Sequence, residues 1–247
     1  MRYFLSFSYH GTSFHGWQIQ PNAITVQEIM EHRISKILGK ETKLVGAGRT
    51  DSGVHAKEMT AHLDAHIENK ENFIFRVNSF LPNEIAVHDL KEVHPAAHAR
   101  FDAIERSYQY KIHYNKNPFK NNLSWHWNYE RLNLEKMNLA AQKLLEFNDF
   151  TSFARLHADN KTNFCDVRSA VWIEDGENLT FKIVADRFLR NMVRSIVGTL
   201  VEVGQEKVSL EQFIEIIEKK DRKFASASAP AHGLFLTQVK YPKEIFT

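Results

Sequence analysis

One order of alternation patterns, occurring twice along the 247 residues, constrains the fold more than any other feature of this chain. Residues 2–9 alternate apolar and polar side chains like a strand. Thr25-Val26-Gln27-Glu28 then opens a helix with a capping box, and Val26, Ile29, Met30, Ile34, Ile37 and Leu38 keep helical spacing until Gly39 stops it. Strands over about 42–48 and 58–65 follow, then a helix from Asn69 that must end before Pro82, then a strand over 85–93. That order is β-α-β-β-α-β. The second half repeats it: a strand over 106–114, a helix over about 133–146, strands over 168–174 and 179–185, a long helix over about 188–203 and a strand over 234–241. One extra helix is inserted after the capping box Ser209-Leu210-Glu211-Gln212.

The repeat is one of elements and not of sequence. Each half reads as a ferredoxin-like, split β-α-β unit, an antiparallel sheet with helices on one face. The expected fold is therefore α+β with two domains, residues 1–98 and 99–247. The uncovered sheet faces suit a large polar ligand, and an RNA-binding cleft fits that description. Net charge is only +2, so nucleic-acid binding has to come from a local basic patch. With 43% hydrophobic and 25% charged residues, and no apolar run of membrane-spanning length or signal-peptide pattern, the chain reads as an ordinary soluble protein expected in the cytoplasm. Cys165 is the single cysteine, which excludes an internal disulfide and a cysteine-based zinc site.

Chemistry concentrates in Gly46-Ala47-Gly48-Arg49-Thr50-Asp51-Ser52-Gly53-Val54-His55-Ala56. Glycines here permit tight turns and close approach of backbone. Asp51 reads in two ways: as an Asx-turn acceptor, or as a carboxylate kept ionised by a nearby cation such as Arg49 and used as nucleophile or base. His55 either joins the chemistry or holds the loop by hydrogen bonds. A second constellation places Arg100-Phe101 ahead of Arg106-Ser107-Tyr108-Gln109-Tyr110, where Tyr110 reads as core and Tyr108, beside two arginines, as a ring able to stack on a base. In the third, Arg187, Arg190 and Arg194 flank the apolar face of the long helix, and Arg194 is the one expected to be buried and to need an anionic partner, Asp51 among the candidates. The Lys219-Lys220-Asp221-Arg222-Lys223 run is either an RNA contact or a solvated helix end. Neither a metal-ligand spacing nor a phosphate loop or dinucleotide fingerprint is present in the sequence, so no metal and no cofactor are inferred.

Gly48-Arg49-Thr50-Asp51-Ser52-Gly53-Val54-His55-Ala56 resembles the signature of the tRNA pseudouridine synthase A family. Further segments agree in order: Tyr9-His10-Gly11-Thr12-Ser13-Phe14-His15-Gly16-Trp17-Gln18, Ala99-Arg100-Phe101 with Arg106-Ser107-Tyr108-Gln109-Tyr110, Phe188-Leu189 with Met192-Val193-Arg194, and Ala229-Pro230-Ala231-His232-Gly233-Leu234. The resemblance implies an isomerase that converts uridine to pseudouridine at positions 38, 39 and 40 of the tRNA anticodon arm, without a cofactor, as a homodimer. It assigns Asp51 as nucleophile, Arg194 as its ionic partner, and Tyr108 as the ring that stacks on the base and assists proton transfer. Arg49, His55, Arg100 and Arg106 are the expected substrate contacts. Attack at C6, attack at C1′ and a glycal route all remain open. The competing readings are a non-catalytic tRNA-binding chaperone, a synthase acting on another RNA, and a glycosidase using Asp102 or Glu105 as its second carboxylate.

Overall fold

The chain builds five α-helices and nine strands among residues 1–155 and 161–247, the part described by this computed structural model. These residues form two units, Met1–Glu105 with Leu236–Thr247, and Arg106–Phe235.

The first unit starts with strand β1 (Arg2–Tyr9), followed by helix α1 (Val26–Leu38). Thr25 caps α1 by accepting the Glu28 N–H at 3.4 Å, and Gly39 ends it in the left-handed region at φ 68°. Strand β2 (Val45–Gly46) is much shorter than the alternation over 42–48 predicts. Side chains of α1 take the backbone donors a longer strand would need: Ser35 Oγ accepts the Thr42 N–H at 2.9 Å, and Glu31 Oε1 accepts the Leu44 N–H at 2.9 Å. Glu31 is buried, and it also accepts from Gln27 and pairs with Lys43 at 3.4 Å. Strand β3 (His55–Asp64), helix α2 (Lys70–Phe80) and strand β4 (Ile85–Val93) complete the run, with Asn69 capping α2. β1 lies antiparallel between β3 and β4, and β2 joins β3.

In the second unit, strand β5 (Glu105–His113, in this unit from Arg106) leads to strand β6 (Trp125–His126) and helix α3 (Leu134–Lys143). β6 runs parallel to β5, pairing Ile112 with Trp125 and His113 with His126, so the strands are mixed and not purely antiparallel as expected. The eleven intervening residues carry the chain back along its own direction, the length a parallel connection needs. Strands β7 (Val167–Asp175) and β8 (Asn178–Ala185) form an antiparallel hairpin, with β8 pairing β5. Helix α4 (Met192–Gly204) begins four residues later than the apolar pattern implies, because Asn191 turns left-handed at φ 65° and donates Nδ2 to Ser228 Oγ at 2.7 Å. Arg187 and Arg190 therefore precede the helix, and only Arg194 sits on it. Helix α5 (Leu210–Glu218) carries both capping-box bonds expected at Ser209.

Strand β9 (Leu234–Lys240) returns to the first unit from Leu236 onward, beside β3. Ile245 there packs with Phe4, Val93, Ala97 and Ala99, and the Tyr241 hydroxyl donates to the Ala99 carbonyl at 2.7 Å.

The crossover between β4 and β5 hangs on a buried histidine. His62 Nδ1 accepts the Ala99 N–H at 3.1 Å, a bond that only the deprotonated nitrogen makes. Burial, then the charges of Arg2 and His98, push the His62 pKa from 6.5 down to about 4, with Asp64 and Asp102 opposing. Between those values the unfolded chain binds the proton and the folded chain does not, so stability rises with pH across this window. The contribution is complete above pH 6.5 and is lost as pH falls towards 4. Thermal midpoints measured by circular dichroism should drop over that range, and His62→Asn, whose Oδ1 can still accept from Ala99, should flatten the drop.

Candidate active site

Asp51 lies in the loop between β2 and β3, and a second stretch of backbone supports that loop from below. After Ala47 donates to the Thr60 carbonyl at 2.8 Å, the chain leaves the sheet through Gly48 and the exposed Arg49. Thr50 is buried, its hydroxyl 2.8 Å from the Tyr9 hydroxyl. Asp51 is half-buried, and the Val54 N–H closes the turn onto its main-chain carbonyl at 3.1 Å, a bond that does not use the carboxylate. Gly53 takes φ 78°, a value costly for any residue with a Cβ.

The supporting stretch runs from His10 to Trp17. Trp17 N–H donates to the Thr50 carbonyl at 3.3 Å, Gly53 N–H donates to the Phe14 carbonyl at 3.2 Å, and Gly11 N–H donates to His55 Nδ1 at 3.0 Å. Two of its glycines have no room for a side chain. A Cβ on Gly11 would stand 2.0 Å from the Val54 carbonyl oxygen, and one on Gly16, which also has φ 85°, would stand 2.3 Å from that of Thr50. Close main-chain packing of this kind leaves few ways for the loop to shift, so Asp51 is held on a rigid base. The sequence pattern gave no structural role to this stretch; its spaced glycines at 11 and 16 were the available signal.

His55 is 1% exposed, and its Nδ1 is the acceptor for Gly11, which fits the reading in which it holds the loop. Arg49 forms no ion pair among the described residues, so the cation closest in sequence to Asp51 is not its partner. Arg100 is exposed and lies 5.7 Å from the Phe101 ring. Its neighbour Ala99 is anchored to His62, seven residues along β3 from His55, or about 23 Å of extended strand. The structure thus keeps the Arg100 segment apart from the Asp51 loop. Asp102 Oδ2 accepts the His98 N–H at 2.7 Å, and Glu105 pairs with Lys240, so both carboxylates of the glycosidase reading have structural partners.

In the second unit, Tyr108 of β5 faces Ile183 of β8, half-buried, with the Phe188 ring edge-on at 5.2 Å. Arg106 donates Nη1 to the Asp186 carbonyl at 2.7 Å. Arg194, in the first turn of α4, is half-buried and clasps the Ala229 peptide: its Nε donates to the Ala229 carbonyl at 2.8 Å, and its own carbonyl accepts the Ala229 N–H at 3.0 Å. Tyr110 is fully buried, as its strand position implies, and donates to the Pro230 carbonyl at 2.8 Å. Its ring fills the space a side chain on Gly233 would need, with Cζ 2.6 Å from that Cβ position. Burial raises the Tyr110 pKa well above its usual range, keeping the phenol a donor. The Ala229–Gly233 stretch, read from sequence only as a motif, is therefore pinned between Arg194 and Tyr110. Burial also lowers the pKa of His232 within it.

Among the described residues, no three His, Cys, Asp or Glu side chains converge to hold a metal. A family model described as tRNA pseudouridine synthase matches residues 5–102 and 140–242. A Bacteroides fragilis protein described as tRNA pseudouridine synthase A is 48% identical over 248 residues, covering 99% of this chain and 98% of its own length. The protein of that description from Bacteroides thetaiotaomicron is 47% identical over 250 residues, covering 100% and 93%, and the one from Thermoanaerobacter sp. is 39% identical over 237 residues, covering 94% and 96%. With both lobes of the family pattern matched and relatives aligned over nearly their whole length, the chain belongs to the tRNA pseudouridine synthase A family.

Proposed function

We propose that this tRNA pseudouridine synthase, an isomerase by its family, acts on uridines 38, 39 and 40 of the anticodon arm with Asp51 as nucleophile. The N1–C1′ bond of the nucleotide breaks, the uracil turns, a C5–C1′ bond forms, and the C5 proton leaves while N1 gains one. Atoms and electrons balance without an oxidant or a cofactor. What the protein must supply is a fixed nucleophile, a grip on the detached base and a way to extrude a stacked uridine, at a cost of a few kcal/mol. The observation that carries the proposal is the main-chain base under Asp51, which presents one half-buried carboxylate on a loop with little freedom to move.

Tyr108 is the proposed stacking ring, Arg194 the proposed ionic partner of Asp51, and Arg49 and Arg106 proposed contacts to RNA. The exposure of Arg49 supports its part. His55 is proposed to serve through the loop it holds. Each half of the chain is proposed to be a split β-α-β sheet that offers its helix-free face to RNA; the order β4-β1-β3, with β2 on β3, supports this for the first unit. The enzyme is proposed to work as a cytoplasmic homodimer, with one tRNA touching both protomers. No helix of the described residues is long and apolar enough to cross a membrane.

The test is release of tritium from unmodified tRNA labelled at C5 of uridine, with the modified positions mapped. One tritium released per pseudouridine, confined to 38–40, is the expected result. Release from other positions overturns the site assignment, and binding with no release overturns catalysis in favour of a chaperone.

A further inference from the structure

A cavity of about 470 Å³ opens in the second unit, lined by Arg155, Asn191, Arg222, Lys223 and the Ala225-Ser226-Ala227 segment. Three of these residues are cationic and none carries a carboxylate. The acids close in the chain or in space are engaged elsewhere: Asp221 Oδ1 accepts the Lys223 N–H at 2.9 Å, and Glu202 takes the Ser226 hydroxyl. Arg222 is half-buried and fixed, with Nη1 donating to the Ala225 carbonyl at 2.8 Å and Nη2 to Ser228 Oγ at 3.2 Å. The same Ser228 hydroxyl accepts from Asn191, so the wall is braced from both sides. Among the described residues the Arg222 charge has no carboxylate partner, and burial lowers its pKa. Arg155 and Lys223 are exposed. One anchored guanidinium in the wall and two exposed cations make a site for a compact anion with several acceptor oxygens.

We propose that this cavity holds a phosphodiester group of the tRNA backbone, gripped by Arg222 in the wall and by Arg155 and Lys223. The proposal rests on the reading of the chain as an enzyme acting on tRNA, and it gives the basic run after α5 a defined use. Arg222 also holds its own loop, so the exposed pair is the better probe. In the full-length protein, the double variant Arg155→Ala, Lys223→Ala should raise KM for tRNA about tenfold at unchanged kcat and unchanged melting temperature. The slope of log affinity against log salt should fall by up to about one, for the single phosphate charge that this site neutralises. Lys223→Arg alone, which keeps the charge, should stay near wild type. An active wild type whose double variant keeps both KM and slope overturns the cavity's role and leaves the activity standing. A wild type that binds no tRNA overturns the functional reading instead. If the ³¹P line of inorganic phosphate then broadens with wild type and not with the double variant, the occupant is a free phosphate and not RNA.

Discussion

Asp51→Ala and Asp51→Asn are both expected to lower pseudouridine formation by roughly 10,000-fold or more, the scale of losing the group that bonds to the substrate. Folding should survive. The loop is closed by the Val54 N–H on a main-chain carbonyl and supported from Gly11, Phe14 and Trp17, and none of these bonds requires a carboxylate at position 51. Tritium release under single-turnover conditions, with tRNA affinity measured in parallel, reads the two consequences separately. Unchanged affinity with lost release fits a nucleophile. A loss below about tenfold would remove Asp51 from the chemistry, and a joint loss of affinity and melting temperature would make it a structural residue.

Gly16→Ala carries the second-largest expected effect although position 16 bears no functional group. Its φ of 85° alone costs an L-residue about 1–2 kcal/mol, and the new Cβ would meet the Thr50 carbonyl oxygen at 2.3 Å, so main chain has to move. Stability should fall by about 2–4 kcal/mol in total. A displacement of about 1 Å next to a reacting group can cost about 100-fold, so kcat should fall by at least that in the protein that remains folded. Gly48→Ala is the matched control. It lies three residues before Asp51, its φ is ordinary, and a Cβ there meets nothing within 4 Å. Stability measured by denaturant titration should therefore fall for Gly16→Ala and hold for Gly48→Ala, although the sequence draws attention to the loop glycine and not to Gly16. If both variants match wild type in stability and in kcat, the packed backbone is not what positions Asp51.

Local signals carried much of this fold. Asn69, Asn133 and Ser209 cap helices where their side chains imply, Gly39 ends one, and the long strands fall where alternation puts them. The failures share a cause, which is that a partner distant in sequence decided the outcome. β2 is cut short because Ser35 and Glu31 take its N–H groups, and α4 starts late because Ser228 holds Asn191 in a left-handed turn. No periodicity within either segment reports those partners. The site divides in the same way. Asp51 stands out among glycines and hydroxyls in one short stretch, whereas the clasp of Arg194 on the Ala229 peptide joins residues 35 apart and no local pattern reports it. The support from Gly11 and Gly16 was hidden because it is a main-chain contact across some forty residues, and side-chain patterns do not record such contacts.

The return of Leu236–Thr247 to the first unit fixes an order of events during synthesis. β3 gains its neighbour β9 only after the whole of Arg106–Phe235 has been made, and Ile245 joins Phe4 and Val93 later still. At about 5–20 residues per second, those 130 intervening residues take roughly 6–26 s. For that interval the first unit waits on the ribosome with part of an edge strand and an apolar cluster uncovered, a hazard for pairing with other nascent chains.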